Sequence, residues 1–265
     1  MQRLSPLRPT ARYLMRTEVH VFAFSIAASV LLSLFPFLNV MVSLCTYGFR
    51  WHGAYNTVYG AIGEYFGSDL GRILRNNLYL HFPARIEIFS VILLLFTANG
   101  IFEPLEVSLN RAWGVTKDRS YVKNQLLSFG LIMICGALAL SSFMFTAMNT
   151  AYLQRLLGPG FPIPSWISVA LFRLSSIPTI SMALFLTYWL LPNCRVPALR
   201  VAKAAAVVGL ALVALQFVAV LSWKWLMVKL AHDYGPFNDS CGIILFSFLA
   251  AMIVLAGAEW SARQP

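Results

Sequence analysis

Charge is what this 265-residue sequence has least of: 11% of its residues are Asp, Glu, Lys or Arg, against 59% hydrophobic. A soluble domain carries about 25% charged residues, so a soluble globule built from this chain would lack the polar surface to coat itself. Disorder is excluded too, because an aromatic content of 14% and long apolar runs are the reverse of its signature. Acidic residues are scarcer than basic ones, 10 against 20, which leaves a net charge of +10. The four histidines (His20, His52, His81 and His232) are isolated, with no HxH or HExxH spacing. A histidine-based metal site therefore has no nucleus, and none is expected. The four cysteines form no CxxC pair. No GxSxG, Walker or GxGxxG loop occurs, so neither an enzyme nor a bound cofactor is expected.

What is there is apolar sequence in pieces of membrane-spanning length. A spanning helix needs about 20 apolar residues to cross a core about 30 Å thick. Five stretches satisfy this, at about 20–45, 125–149, 166–191, 204–223 and 240–259. A sixth, at about 86–109, opens with IEIFSVILLLF and then turns polar. Counting it as a span places 1–19, 110–124, 192–203 and 260–265 on one side, with four, four, three and one basic residues. The opposite segments, 46–85, 150–165 and 224–239, carry four, one and two. Per residue the first side is roughly twice as basic, which makes it cytoplasmic by the positive-inside rule. The sequence thus predicts an all-α polytopic membrane protein. A single six-helix domain covers 20–262, both termini are cytoplasmic, and short interfacial helices flank the spans. The net charge becomes a signal of topology and of anionic lipid headgroups at the cytoplasmic face, with no nucleic acid required.

The first apolar run holds Pro36 and lacks a small-residue cleavage site, so it reads as a retained span and not a signal peptide. In the basic segment 1–19, Arg8, Arg12 and Arg16 recur every four residues, which suits a helix on the inner membrane face; a disordered tail is the other reading. Within the outer segment 46–85, SDLGRILRNNLYLHF (68–82) places Leu70, Ile73, Leu74 and Leu78 on one helical face. An amphipathic helix over the outer mouth is expected there. Cys45 and Cys241 both fall near that outer face, where a disulfide is open to them.

Span two carries the most informative pattern. Asn99, Glu103, Glu106 and Asn110 are spaced to stay within a stripe of about 60° on a helix. Two carboxylates and two amides are costly in hydrocarbon, so the stripe must face the bundle interior, a water-filled cavity or the headgroups. Pro104 lacks an N–H and its ring opposes the carbonyl of Gly100, so a kink or break is expected over 100–104. Broken helices beside acidic side chains build substrate sites in transporters. The alternative puts Glu103 and Glu106 at the cytoplasmic headgroups, paired with Arg111 or Arg119. Span one bears a milder stripe that includes Ser29, Ser33, Pro36 and Asn39, suited to close helix packing or to lining a pathway. In span four, Arg173 is expected to pair with Glu87 or to snorkel outward, with a second kink at Pro178. Glu259, in the run AGAEW, is expected to anchor span six through Arg111, Arg195 or Arg200.

Several separated stretches together resemble one family. FAFSIAASVLLSLFPFLNV (22–40), TANGIFEPLEVSLNRAWGV (97–115), LLPNCRVP (190–197) and LAGAEWSA (255–262) are similar to blocks of the YihY/BrkB family, once misnamed ribonuclease BN. The resemblance runs from about residue 20 to 262. It implies a multi-pass protein of the bacterial inner membrane linked with envelope integrity, whose members are suspected transporters of a small molecule or lipid without an agreed substrate. The ribonuclease name draws no support from these residues. The chain departs from the family pattern at Glu103–Pro104 and in span six, where CGIILFSFLAAMIVL replaces an aromatic stretch. The residues favour a transporter or flippase-like protein with its pathway beside span two. A non-transporting scaffold of the envelope is the alternative, and a homo-oligomer is open to either.

Overall fold

A chain with few charges and no water to bond its backbone must satisfy its amides internally, and helices do this within one segment. In the computed structural model, which describes residues 7–43, 86–115, 119–157 and 165–263, every long element is a helix. A short α1 (Leu7–Leu14) precedes α2 (Thr17–Ser43), α3 (Ile86–Ala112) and α4 (Tyr121–Leu157). These are followed by α5 (Ser165–Leu190), α6 (Ala198–Tyr234), a 3-10 turn (Gly235–Phe237) and α7 (Asn238–Arg263). Five stretches among the described residues are long and apolar enough to cross a membrane: Thr17–Val40, Ile88–Ala112, Tyr121–Ala139, Ala198–Trp223 and Trp225–Arg263. In α5 the corresponding apolar stretch is shorter, Ser176–Leu190. The amphipathic stretch 68–82, the Cys45–Cys241 pairing and the side chains of Glu87 and Arg173 lie outside the described residues.

Two boundaries differ from the sequence expectation. Helix α6 runs on to Tyr234, through much of the segment expected to be an outer loop. No proline interrupts it and Gly209 is carried within it, so the helix runs on to Gly235, whose φ of 55° ends it and turns the chain into α7. At 37 residues α6 is about 55 Å long, well beyond the hydrocarbon thickness. Of the kink or break expected over 100–104, the break does not occur: α3 is continuous from Ile86 to Ala112 with Pro104 inside it. A proline removes one helical hydrogen bond, and here the helix on both sides is held by packing. Gly100 serves that packing, since a Cβ there would collide with Ser29 Oγ of α2. Pro36 and Pro178 likewise lie inside continuous helices.

Each long helix packs on the next in sequence, and α7 returns to pack on both α2 and α3. The described core gathers toward the end of the bundle that carries α1. Leu105 and Leu109 of α3, Leu131 of α4, Tyr188 and Leu191, Val201 and Ala204 of α6, and Leu255 and Ala258 of α7 are all buried there. Small residues let these helices close. A Cβ at Gly257 would strike Val208 and the Tyr188 hydroxyl, so the α7 backbone lies directly against α5 and α6. Tyr188, fully buried, donates its hydroxyl to the Val254 carbonyl at 2.7 Å.

Candidate functional site

The α1 end is organised by how α3 stops. Gly114 adopts φ 69°, its N–H donates to the Arg111 carbonyl at 3.2 Å, and the Val115 N–H donates to the Asn110 carbonyl at 2.8 Å. This paired closure is a Schellman cap, which satisfies carbonyls the helix end would leave free. LNRAWGV is thus a helix terminator, and it fixes Asn110 and Arg111 on the last turn. The buried Asn110 side chain accepts the Asn193 N–H at 2.9 Å, tying the α5–α6 connection to α3. Arg119 completes the tie. Its guanidinium donates to Asn193 Oδ1 at 3.3 Å and to the carbonyls of Leu190 and Pro192 at 3.1 and 2.9 Å.

Helix α1 closes the same end from the other side. Thr10 Oγ1 donates to Glu259 Oε2 at 2.9 Å, and the Arg263 guanidinium pairs with Glu259 Oε1 one turn along α7. Glu259 is only 5% exposed, so both partners are needed to offset its burial. The Tyr13 hydroxyl and Ser108 Oγ share a hydrogen bond of 2.6 Å. Burial pushes the Tyr13 phenol above its ordinary value of 10, opposed by that hydrogen bond and reinforced by the Glu259 charge. Arg111 pairs with Glu18 of α2 and lies over the Phe22 ring, 5.9 Å from its centroid. These side chains surround a cleft of about 250 Å³ between α1, α2, α3 and α7. Arg16 also lines it.

The stripe on α3 divides. Glu106 and Asn110 turn into the bundle and are buried, whereas Glu103 is exposed and accepts a hydrogen bond of 3.1 Å from Asn99 Nδ2. Asn39 Nδ2 stands 3.5 Å from Ser90 Oγ, linking α2 to the opposite half of α3. Arg111 and Arg119 go to Glu18 and to the α5–α6 connection, and Glu259 takes Arg263 and Thr10 in place of Arg111, Arg195 or Arg200. Arg263 stands one turn along the same helix and Thr10 of α1 takes the other carboxylate oxygen, while Arg111, which lines the same cleft, is paired with Glu18. Thr10, Tyr13, Glu18, Ser108 and Arg263 were not singled out from sequence, and Arg119 was named only as a partner for Glu103 or Glu106. Only the Glu259 and Arg263 spacing of four on one helix carried a usable signal. Among the described residues no group of three His, Cys, Asp or Glu side chains is placed to hold a metal.

The chain matches the family described as virulence factor BrkB over residues 10–264. It belongs to the BrkB family. Curated relatives are UPF0761 membrane proteins. That of Chlorobium phaeobacteroides is 26% identical over 260 residues, 92% of this chain and 53% of the relative. That of Chlorobium chlorochromatii is 25% identical, over 93% and 56%. That of Teredinibacter turnerae is 25% identical, over 85% and 49%. The chain therefore spans about half the length of the curated relatives it matches. No solved structure matches it. With its apolar helices, this BrkB-family chain is a multi-pass membrane protein. Three of the BrkB-like blocks meet at the α1 end: LNRAWGV as the cap, LLPNCRVP as the tethered connection and LAGAEWSA as the Gly257–Glu259 contact.

Proposed function

We propose that this chain is a transporter or flippase-like protein of the bacterial inner membrane, with no catalytic step of its own, whose pathway follows the exposed side of α3. All six long helices cross the bilayer in this reading. The α1 end, with Arg12, Arg16, Arg111, Arg119 and Arg263, faces the cytoplasm by the positive-inside rule. The observation that carries the reading is the Asn99–Glu103 pair. Ile88, Ile92 and Phe96 are exposed on one face of α3, as a lipid-facing surface should be, and Asn99 and Glu103 continue the same face. Glu103 lies about 12 Å along the helix from Arg111, within the depth of one leaflet. A carboxylate on a lipid-facing surface is costly unless a polar group passes or rests beside it. A headgroup travelling along α3 with its acyl chains in the bilayer supplies that group.

The test is lipid or solute flux in liposomes containing the purified chain, compared with Glu103→Gln and Asn99→Ala. The reading expects slower flux in both with helix content unchanged, and equal flux in Glu103→Gln would overturn it. A non-transporting scaffold supporting envelope integrity is the second reading. It draws on the close contacts at Gly100 and Gly257, which leave the helices tightly packed there. It expects Glu103→Gln to complement an envelope defect fully while liposomes show no flux with either form.

A further inference from the structure

We infer that the cleft between α1, α2, α3 and α7 binds the phosphodiester of an anionic membrane lipid, through Arg16 and Arg111 together with a hydroxyl of the Tyr13–Ser108 pair. The lining carries three guanidinium groups, Arg16, Arg111 and Arg263, against two carboxylates, Glu18 and Glu259. One positive charge is left over, which a singly charged phosphodiester neutralises and a zwitterionic headgroup does not.

The three arginines differ in availability. Arg263 is committed to the buried Glu259. Arg111 is paired with Glu18, but both side chains are well over half exposed, and an ion pair in that setting is readily exchanged for a better acceptor. The Arg16 side chain makes no ion pair or hydrogen bond among the described residues, although it lines the cleft and acts on the Tyr13 phenol through its charge. One guanidinium fork, that of Arg16, is therefore open to phosphate oxygens, and that of Arg111 can join it by exchanging its exposed pairing with Glu18. The Tyr13 and Ser108 hydroxyls use one proton between them, which leaves the other hydroxyl to donate into the cleft. A phenol is protonated at neutral pH in any case and burial raises its pKa further, so that donor is retained.

Position selects the source of the phosphate. The cleft lies where α3 and α7 end and α2 begins, at the level of the charged residues that bound the apolar stretches. Val19 and Phe22 extend one wall of the cleft along α2 toward the apolar part of that helix. A lipid headgroup enters such a site with its glycerol and chains directed along α2, whereas free phosphate leaves that wall unused. The inference needs only the membrane placement, not the transport reading. Flux is read on Glu103→Gln and lipid retention on Arg16→Gln, so each can fail without the other.

The experiment is native mass spectrometry of the purified full chain in detergent, titrated with phosphatidylglycerol, phosphatidylcholine or inorganic phosphate. Phosphatidylglycerol should be retained in preference to phosphatidylcholine. Arg16→Gln should weaken that retention by about tenfold, as expected for one charge-assisted contact. Arg16→Lys should restore part of it, and because the Arg16 side chain has no ion-pair or hydrogen-bond partner among the described residues, Arg16→Gln should melt like the parent. Equal retention of the two lipids, or no effect of Arg16→Gln, overturns the site. Inorganic phosphate binding as tightly as phosphatidylglycerol overturns the lipid assignment.

Discussion

Thr10 Oγ1 lies 2.9 Å from Glu259 Oε2, which joins the short first helix to the last one across 249 positions of sequence. The bond satisfies one oxygen of a buried carboxylate whose other oxygen is paired with Arg263. Thr10→Val keeps the shape and removes the donor, so it should destabilise the chain by about 1.5–3 kcal/mol, the range for hydrogen bonds to charged groups. Thr10→Ser should retain most of the stability. Thermal unfolding in detergent, followed by circular dichroism, measures both; a Thr10→Val protein that melts with the parent would show that α1 is not held through Glu259.

Tyr13 makes the docking of α1 sensitive to alkali. Its phenol pKa is raised above the ordinary value of 10, with burial the largest cause. The folded chain thus holds the proton more tightly than the unfolded chain does. The resulting stability is fully present below pH 10 and falls as pH rises through the folded pKa. Protease sensitivity within 7–16 should rise in that alkaline range, and Tyr13→Phe should remove the alkaline step while losing the Ser108 bond at every pH. An unchanged alkaline profile in Tyr13→Phe would assign the step to another group.

Gly100 and Ser29 should behave as a coupled pair. A methyl at Gly100 meets Ser29 Oγ, and turning the hydroxyl aside still leaves the Ser29 Cβ 3.1 Å away. Gly100→Ala is expected to cost about 1–3 kcal/mol through overpacking. Combined with Ser29→Gly it should recover much of that loss, giving a coupling energy of about 0.5–3 kcal/mol in a double-mutant cycle. Additive effects would mean that α2 and α3 do not meet at these residues.

Arg119 reaches three acceptors in the α5–α6 connection with one planar group. Lysine keeps the charge but cannot span them, so Arg119→Lys should act nearly as Arg119→Ala does, at about 1–3 kcal/mol. Hydrogen exchange gives a local readout. The Asn193 amide, which Asn110 Oδ1 protects, should exchange faster in Arg119→Lys and fastest in Asn110→Ala. If Arg119→Lys protects Asn193 as the parent does, charge and not the fork holds the connection.

The sequence by itself determined the helical class and the membrane setting, because hydropathy acts locally and a low charge content leaves no soluble alternative. It also marked α3 as unusual through the spacing of Asn99, Glu103, Glu106 and Asn110. Of the kink or break expected at Pro104, the break did not follow: α3 runs through it, with Ser29 of another helix packed against Gly100 four residues before. How the stripe divides was equally a tertiary decision. Helix geometry places four residues in one stripe, but only the neighbouring helices determine that Glu106 and Asn110 are buried and Glu103 is not. The cleft at the α1 end is the clearest such case. Arg16, Arg111 and Arg263 come from three distant segments, and Thr10 and Tyr13 gain their meaning from Glu259 and Ser108. Local periodicity carries no record of which helix ends will meet; the return of α7 to α2 and α3 brings those charges together.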